Sequence, residues 1–159
     1  MRLLSIILLT TTMCCLQSCI KEASTTIEAY WTNPTTHSIH ILPYKNGFVN
    51  SSDTIHLVPN NGLARVDNNK SQRGQYKSPG FDSKFGGIDS LIVLFDHQYK
   101  ITHYINLPPT LSLNYYDFGD TRNITNPNNY NFSHKEQSKR NYKNTHDFIF
   151  IEQDFLDAL

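Results

Sequence analysis

Seven histidines and three cysteines are the side chains of this 159-residue chain best suited to metal binding or nucleophilic attack. Their spacing favours neither. Cys14 and Cys15 lie in an apolar N-terminal stretch and Cys19 follows shortly after, so no cysteine pair with metal-ligand spacing occurs in the body of the chain. His37 and His40 are three apart, which on a strand puts them on opposite faces. His40 and His56 both fall on solvent faces of the alternating pattern described below and could meet across strands. His103 falls on an apolar face, where it is expected to be a hydrogen-bonded core residue. There is no Gly-x-Ser-x-Gly elbow, and no arrangement of Ser, His and acid stands out. Asp117-Phe118-Gly119 spells a kinase motif, but the glycine-rich loop, strand lysine and catalytic loop that a kinase needs are missing. The expectation is therefore no catalytic residue, no metal site and no cofactor.

Two stretches offer binding chemistry instead. Tyr76, Phe81 and Phe85 sit in a polar, glycine-bearing segment, Asp67 to Gly87. Loop aromatics can stack on sugar rings or dock a protein partner, or they can fold under as a small loop core. Lys135, Lys139, Arg140 and Lys143, opposed only by Glu136, form a basic cluster. Near an anionic surface such a cluster can contact phosphates; otherwise it is a solvated loop.

The N-terminus gives an address. Arg2 supplies a short positive region, Leu3 to Met13 is apolar, and Leu16-Gln17-Ser18-Cys19 follows. An apolar run this short, with a positive start and a small residue before the cut, is a signal peptide rather than a spanning helix. The last four residues resemble the bacterial lipobox, despite Gln17 at a position usually small or aliphatic. The resemblance implies lipidation of Cys19 and cleavage after Ser18. Each buried lipid methylene contributes roughly 0.8 kcal/mol, so several chains on one cysteine anchor firmly. Ile20 to Thr26 reads as a tether of seven residues reaching at most ~25 Å. The expected organisation is a signal peptide at 1–18, lipidated cysteine and tether at 19–26, and one domain over 27–159.

Composition bounds that domain. Loss of residues 1–18 from 159 leaves 141, enough for a real core, and loss of Arg2 leaves 13 Lys+Arg against 14 Asp+Glu. A near-neutral chain gives no electrostatic case for nucleic acid. With Cys19 taken by lipid, no disulfide is possible, and the core alone must hold the fold.

The body reads as strands. Thr25 to Trp31 alternates, with Ile27, Ala29 and Trp31 on one face, and His37 to Leu42 pairs Ile39 with Ile41. Asn46-Gly47 is a hairpin signal that pairs Lys45 with Phe48. Continued inward, that register would bury the wrong face of Thr54 to Val58, so a bulge or wider loop is expected within Asn50 to Asp53. Asn61-Gly62 is a second turn, before Leu63 to Val66. Asp89 to Phe95 is apolar on both faces, which predicts a central strand covered on both sides. Lys100 to Leu107 should turn Ile101, His103, Ile105 and Leu107 inward and Thr102 outward until Pro108-Pro109 stops it. Leu111 to Tyr116 is a weaker strand and Phe148 to Ile151 the last, with Phe155, Leu156 and Leu159 spaced for a short helical turn. Thr121 to His146, rich in Asn and Lys, is expected to be a poorly structured loop. The pattern predicts an all-β fold: an antiparallel β-sandwich, immunoglobulin-like or similar, or a partly open barrel, with a C-terminal helical turn.

The lipobox, the strand Asp89-Ser90-Leu91-Ile92-Val93-Leu94-Phe95-Asp96 and the ending Phe148-Ile149-Phe150-Ile151-Glu152-Gln153-Asp154-Phe155 together resemble small uncharacterised lipoproteins of Bacteroidetes-type bacteria. The resemblance implies an envelope lipoprotein, in the outer membrane and on either its periplasmic or its surface side, with the lipid on Cys19 as membrane contact. It also implies a threonine helix cap where Ile151 stands, and resemblance to O-glycosylation triplets at Asp53-Thr54-Ile55 and Asp89-Ser90-Leu91, of which Thr54 is the plausible acceptor. The expected function is non-catalytic binding of a protein, glycan or envelope component through loops. The alternative is a small periplasmic hydrolase or metal-dependent enzyme.

Overall fold

Strict alternation of side chains sets the first sheet. In β1 (Ser24–Asn33) Thr25, Ile27, Ala29, Trp31 and Asn33 are buried and the residues between them half-buried. The computed structural model describes residues 23–72 and 87–159, with 68–72 as backbone only. β1 lies between β5 (Gly62–Gln72) and β10 (Asn141–Ile149), and β9 (Asn131–Ser138) forms the edge beyond β10. The second sheet has the order β3 (Phe48–Val49), β2 (Ile39–Lys45), β6 (Ser90–Phe95), β7 (Tyr99–Tyr104), β8 (Tyr115–Tyr116), with β4 (Ile55–Leu57) also on β2. Trp31, Ile39, Ile41, Leu91, Val93, Phe95, Phe148 and Phe150 fill the space between the sheets. The all-β, sandwich-like expectation holds, but the sheets are mixed: β1 runs parallel to β10, and β7 parallel to β8. Ser24 to Thr26, read from the sequence as tether, already belong to β1.

The first hairpin follows the sequence closely. Lys45 pairs with Phe48 across Asn46 and Gly47, whose φ values are 50° and 84°. A 3-10 turn at Ser51–Asp53 then shifts the register, so that Ile39 faces Leu57 and Ile41 faces Ile55. The Asn61-Gly62 turn works differently from expectation. Positive φ falls on Asn60 and Asn61, at 56° and 87°. Gly62 is needed for space, because a Cβ there would lie 2.3 Å from the Val58 carbonyl oxygen.

Four expectations are corrected. In β6, Leu91, Val93 and Phe95 are fully buried, whereas Ile92 and Leu94 are half-buried, so the second face is only partly covered. Thr102 is not an outward surface residue: it is 3 % exposed. The chain after β7 folds back over it, with the Thr102 N–H donating to Asn114 O at 3.1 Å and its hydroxyl 2.9 Å from Ser112 Oγ. Leu107, expected inward, is 54 % exposed, because β7 ends at Tyr104 and the chain has left the ladder. The largest correction is at 121–146, which is ordered. Its first part is held by asparagine side chains acting as stand-ins for backbone. Asn123 donates to the carbonyls of Tyr104, Tyr116 and Asp117 at 2.8, 3.2 and 2.7 Å and accepts from the N–H and hydroxyl of Thr125. Asn129 donates to Asp120 O and Asn123 O, and Asn126 caps the 3-10 turn Pro127–Asn129. The second part is the β9–β10 hairpin. Polarity misled the sequence reading there, since an amide can satisfy buried carbonyls that would otherwise be orphaned.

The C-terminus closes one end of the sandwich. Helix α1 (Glu152–Leu156) starts at Ile151, which has no capping oxygen; the Asp154 carboxylate instead accepts the Ile151 N–H at 2.8 Å. Asp154 is 1 % exposed and is paired with Arg122, whose Nε donates to it at 2.8 Å. The same guanidinium donates to Ile149 O at 2.9 Å and lies 4.5 Å from the Phe148 ring centroid. Beside this pair, His37 is held at both nitrogens: Nδ1 is 2.6 Å from Asp96 and Nε2 is 3.2 Å from Glu152, with the ring stacked on Phe155.

Two measurements test this closure. Arg122→Met should cost about 2–4 kcal/mol in chemical denaturation, somewhat below the roughly 3–5 of a fully buried broken pair because Arg122 keeps some solvent contact. A cost no larger than that of an ordinary surface change, about 0.5 kcal/mol, would remove the pair from its structural role. The His37 latch has a pH signature. The Asp96 carboxylate, above all, raises the His37 pKa, and His37 lowers that of Asp96. Stability from a raised imidazole is complete below its ordinary value of about 6.5 and is lost as pH climbs through the raised one; the Asp96 share is lost in acid, as pH falls through the lowered one. Wild type should therefore lose more stability than His37→Gln between about pH 6 and pH 9. Parallel pH profiles for the two proteins would show that the latch carries no charge.

Candidate functional site

Period-two alternation makes the outer face of the second sheet a platform. Register aligns Leu42, Ile92 and Thr102 in one row and Tyr44, Ser90 and Tyr104 in the next. Directly paired residues share a face, so these rows point the same way, away from the core residues Ile41, Val93 and Ile101. The segment 106–112 crosses this face after Pro108-Pro109 and walls one side. Its Ser112 is fixed by Tyr104, whose hydroxyl accepts the Ser112 N–H at 3.0 Å.

Between wall and sheet lies a groove of about 450 Å³, lined among others by Tyr44, Asp89, Ser90, Ile92, Lys100 and Tyr104. That volume falls in the usual range for small-ligand sites, roughly 300–1,000 Å³. Tyr44 and Tyr104 flank Ser90 on neighbouring strands, which places them about 9–10 Å apart at two strand spacings. The remaining lining mixes hydroxyl and amide side chains, Ser90, Thr102, Asn106, Thr110 and Ser112, with the apolar Ile92, Pro108 and Leu111. Among the described residues Asp89 is the single carboxylate in the lining, and its Oδ2 accepts the Asn46 N–H at 2.6 Å. Lys100 supplies a cation at the side. Such a surface can hydrogen-bond a polar ligand along its length and present the half-buried Tyr44 ring to it, while Tyr104, 8 % exposed, offers only an edge. Its described lining has no second carboxylate of the kind that acid–base cleavage of a glycosidic bond uses.

At the other end of the same face the histidines meet. His40 pairs with His56 in register, with ring centroids 4.3 Å apart, and the His97 ring lies tilted at 47° with its centroid 3.8 Å from that of His40. Burial, and then the neighbouring His97 and His56, hold the His40 pKa below its ordinary value. Among the described residues, no group of three His, Cys, Asp or Glu is placed to hold a metal ion. His103 is the core residue the pattern predicts. It is 1 % exposed, its Nδ1 accepts the Ile124 N–H at 3.1 Å, and burial, with Arg122 adding to it, pushes its pKa down to about 3. His103 is therefore neutral at any ordinary pH, with the proton on Nε2.

The basic cluster is dispersed over the β9–β10 hairpin. Lys135 and Lys143 face each other across the strands, and Lys139 and Arg140 form the turn, with Arg140 at φ 66°. Lys143 is already engaged: its Nζ is 2.7 Å from Glu28, which lowers the Glu28 pKa and raises that of Lys143. Lys135, Lys139 and Arg140 are exposed. Cys19 and the aromatic trio Tyr76, Phe81 and Phe85 lie outside the described residues. The groove itself was missed by the sequence reading. Alternation had already put Thr102 and Tyr104 together on the outer face; what it could not supply was the fold-back of 106–112 that turns a face into a groove. Thr54, the glycosylation candidate, caps the 3-10 turn and is half-buried.

Among the described residues no helix is long and apolar enough to cross a membrane. No protein-family model, no curated protein and no solved structure matches the chain significantly, so its function has to be argued from its own geometry.

Proposed function

We propose that the chain is a lipid-anchored, non-catalytic protein of the bacterial envelope that binds a glycan in the groove of its second sheet. The observation that carries the binding part is the placement of Tyr44 and Tyr104 on either side of Ser90 at a groove whose lining also offers the hydroxyls and amide of Ser90, Thr102, Asn106, Thr110 and Ser112. Sugars offer apolar ring faces to aromatics and hydroxyls to such partners, and a loop-walled platform on a rigid sheet is where binding residues are commonly placed. Asp89, the one carboxylate of the described lining and tied to Asn46, supports binding over hydrolysis of a glycosidic bond. The anchoring part rests on Leu16 to Cys19 behind a short apolar run.

Both parts are open to test. Palmitate labelling in cells should mark wild type and not Cys19→Ala; equal label would move the lipid elsewhere or remove it. Calorimetric titration of the full chain in detergent with envelope oligosaccharides should show binding that Tyr44→Ala weakens at least tenfold, about 1.4 kcal/mol. No binding by any envelope glycan fraction, or equal binding by Tyr44→Ala, would overturn the groove assignment.

A further inference from the structure

Asn-Gly occurs twice in the chain, at Asn46-Gly47 and Asn61-Gly62. In this dipeptide the chain is open to reaction with itself. The glycine nitrogen can attack the asparagine side-chain carbonyl carbon, because no Cβ on the glycine stands in the way. The fold treats the two sites oppositely. Asn46 and Gly47 are exposed at the tip of the β2–β3 hairpin, and a Cβ placed on Gly47 would have nothing within 4 Å. Among the described residues, neither the Asn46 side chain nor the Gly47 N–H has a hydrogen-bond partner. β3 holds this tip by two exposed residues, Phe48 and Val49, paired with Lys45 and Tyr44. Opening so short and exposed a ladder costs little. Asn61-Gly62 is locked instead. The N–H groups of Asn60, Asn61 and Gly62 donate to Thr35 O, Asn33 O and Val58 O at 2.8, 2.8 and 3.1 Å. Gly62 is buried against Val58 and begins the 11-residue strand β5. The nitrogen that would attack there is already donating, and it cannot turn toward the Asn61 side chain without unpacking that corner.

We infer that Asn46 is a site of spontaneous covalent modification, converting through a cyclic succinimide to aspartate and isoaspartate, while Asn61 keeps its amide. The Gly47 nitrogen gives up its proton and bonds to Asn46 Cγ; the Cγ–Nδ2 bond breaks and the amide nitrogen leaves as ammonia. Water then adds to one carbonyl of the ring and opens it. Attack at Cγ gives aspartate; attack at the main-chain carbonyl gives isoaspartate, with Cβ and Cγ now in the main chain. The net change is water taken up and ammonia released, with nothing oxidised or reduced. Both products alter the rim of the groove, because Gly47 lines it and the Asn46 N–H holds Asp89 there at 2.6 Å. Aspartate puts a carboxylate on the residue whose N–H Asp89 accepts, and like charges repel. Isoaspartate lengthens a two-residue turn whose φ values, 50° and 84°, match the strands it joins. The modification does not depend on what the groove binds.

The test incubates the full chain, folded in detergent at mildly alkaline pH, in heavy-oxygen water and follows the peptides carrying Asn46 and Asn61 by mass spectrometry. Electron-transfer fragmentation separates aspartate from isoaspartate. The Asn46 peptide should gain the mass of an amide-to-acid exchange with one labelled oxygen and divide into both products. It should convert at least about tenfold faster than the Asn61 peptide, whose corner must first open locally at a cost of about 1.4 kcal/mol or more. In denaturant, where the packing that separates them is gone, the two sites should convert at similar rates. A folded chain that keeps Asn46 intact over the time in which the denatured chain converts it overturns the inference. So does a folded chain in which Asn61 keeps pace with Asn46.

Discussion

The ion pair between Arg122 and Asp154 is the constraint on which the rest of the fold converges. Asp154 is among the most buried polar residues of the protein, and a carboxylate taken out of water must be fully partnered. Its two oxygens are supplied by Arg122 and the Ile151 N–H, so the same group neutralises a charge and starts helix α1. Arg122 in turn satisfies the carbonyl at the end of β10 and lies over Phe148, a core ring of the first sheet. One pair thereby joins the asparagine-held loop, the last strand and the C-terminal helix. The helix then holds Glu152 and Phe155 against His37, which reaches Asp96 in the second sheet. The two sheets are fastened at that end by charge and stacking, in a chain whose described part has no disulfide to do the same work.

Asparagine carries a comparable load elsewhere. Asn33 and Asn123 are both fully buried, and each is followed two residues later by a threonine whose N–H and hydroxyl it accepts. Each also donates its amide to carbonyls from other segments: His37, Leu57 and Val58 in one case, Tyr104, Tyr116 and Asp117 in the other. A polar side chain with two donors and an acceptor can substitute for a missing strand neighbour, which is how irregular chain stays buried without orphaned groups. The core adds its own thread: Trp31 donates to the Tyr130 hydroxyl, which donates to Ile124 O, while the Ile124 N–H is taken by His103. The long polar loop is therefore bolted to both sheets, and it frees the outer face of the second sheet to be shaped by a shorter segment, 106–112.

That division of labour separates three regions. One end, with α1 and His37, is closed for stability. The outer face of the second sheet carries the tyrosine groove at one edge of its rows and the His40–His56–His97 group at the other. The end where β1 begins gathers the basic turn. The candidate groove, the closure and the entry of the chain thus occupy different surfaces and do not compete for the same residues.

The sequence by itself determined what depends on local pattern. Period-two burial in β1 and β2, the Asn46-Gly47 hairpin, and the register shift within 50–53 all follow from neighbours a few residues apart, and the structure has them where the pattern puts them. His103 as a bonded core histidine was legible for the same reason. Only tertiary structure decided the remainder, because each case turns on a distant segment. Thr102 is buried by residues 112–114, not by anything in β7. The run 121–146 is ordered because carbonyls from 104, 116 and 117 come within reach of Asn123, and composition holds no trace of that meeting. The parallel pairing of β1 with β10 joins the two ends of the described chain, and no local signal encodes it. The candidate groove belongs to the same class: alternation placed Ile92 and Thr102 on its face, and its wall was built by a fold-back that alternation cannot express.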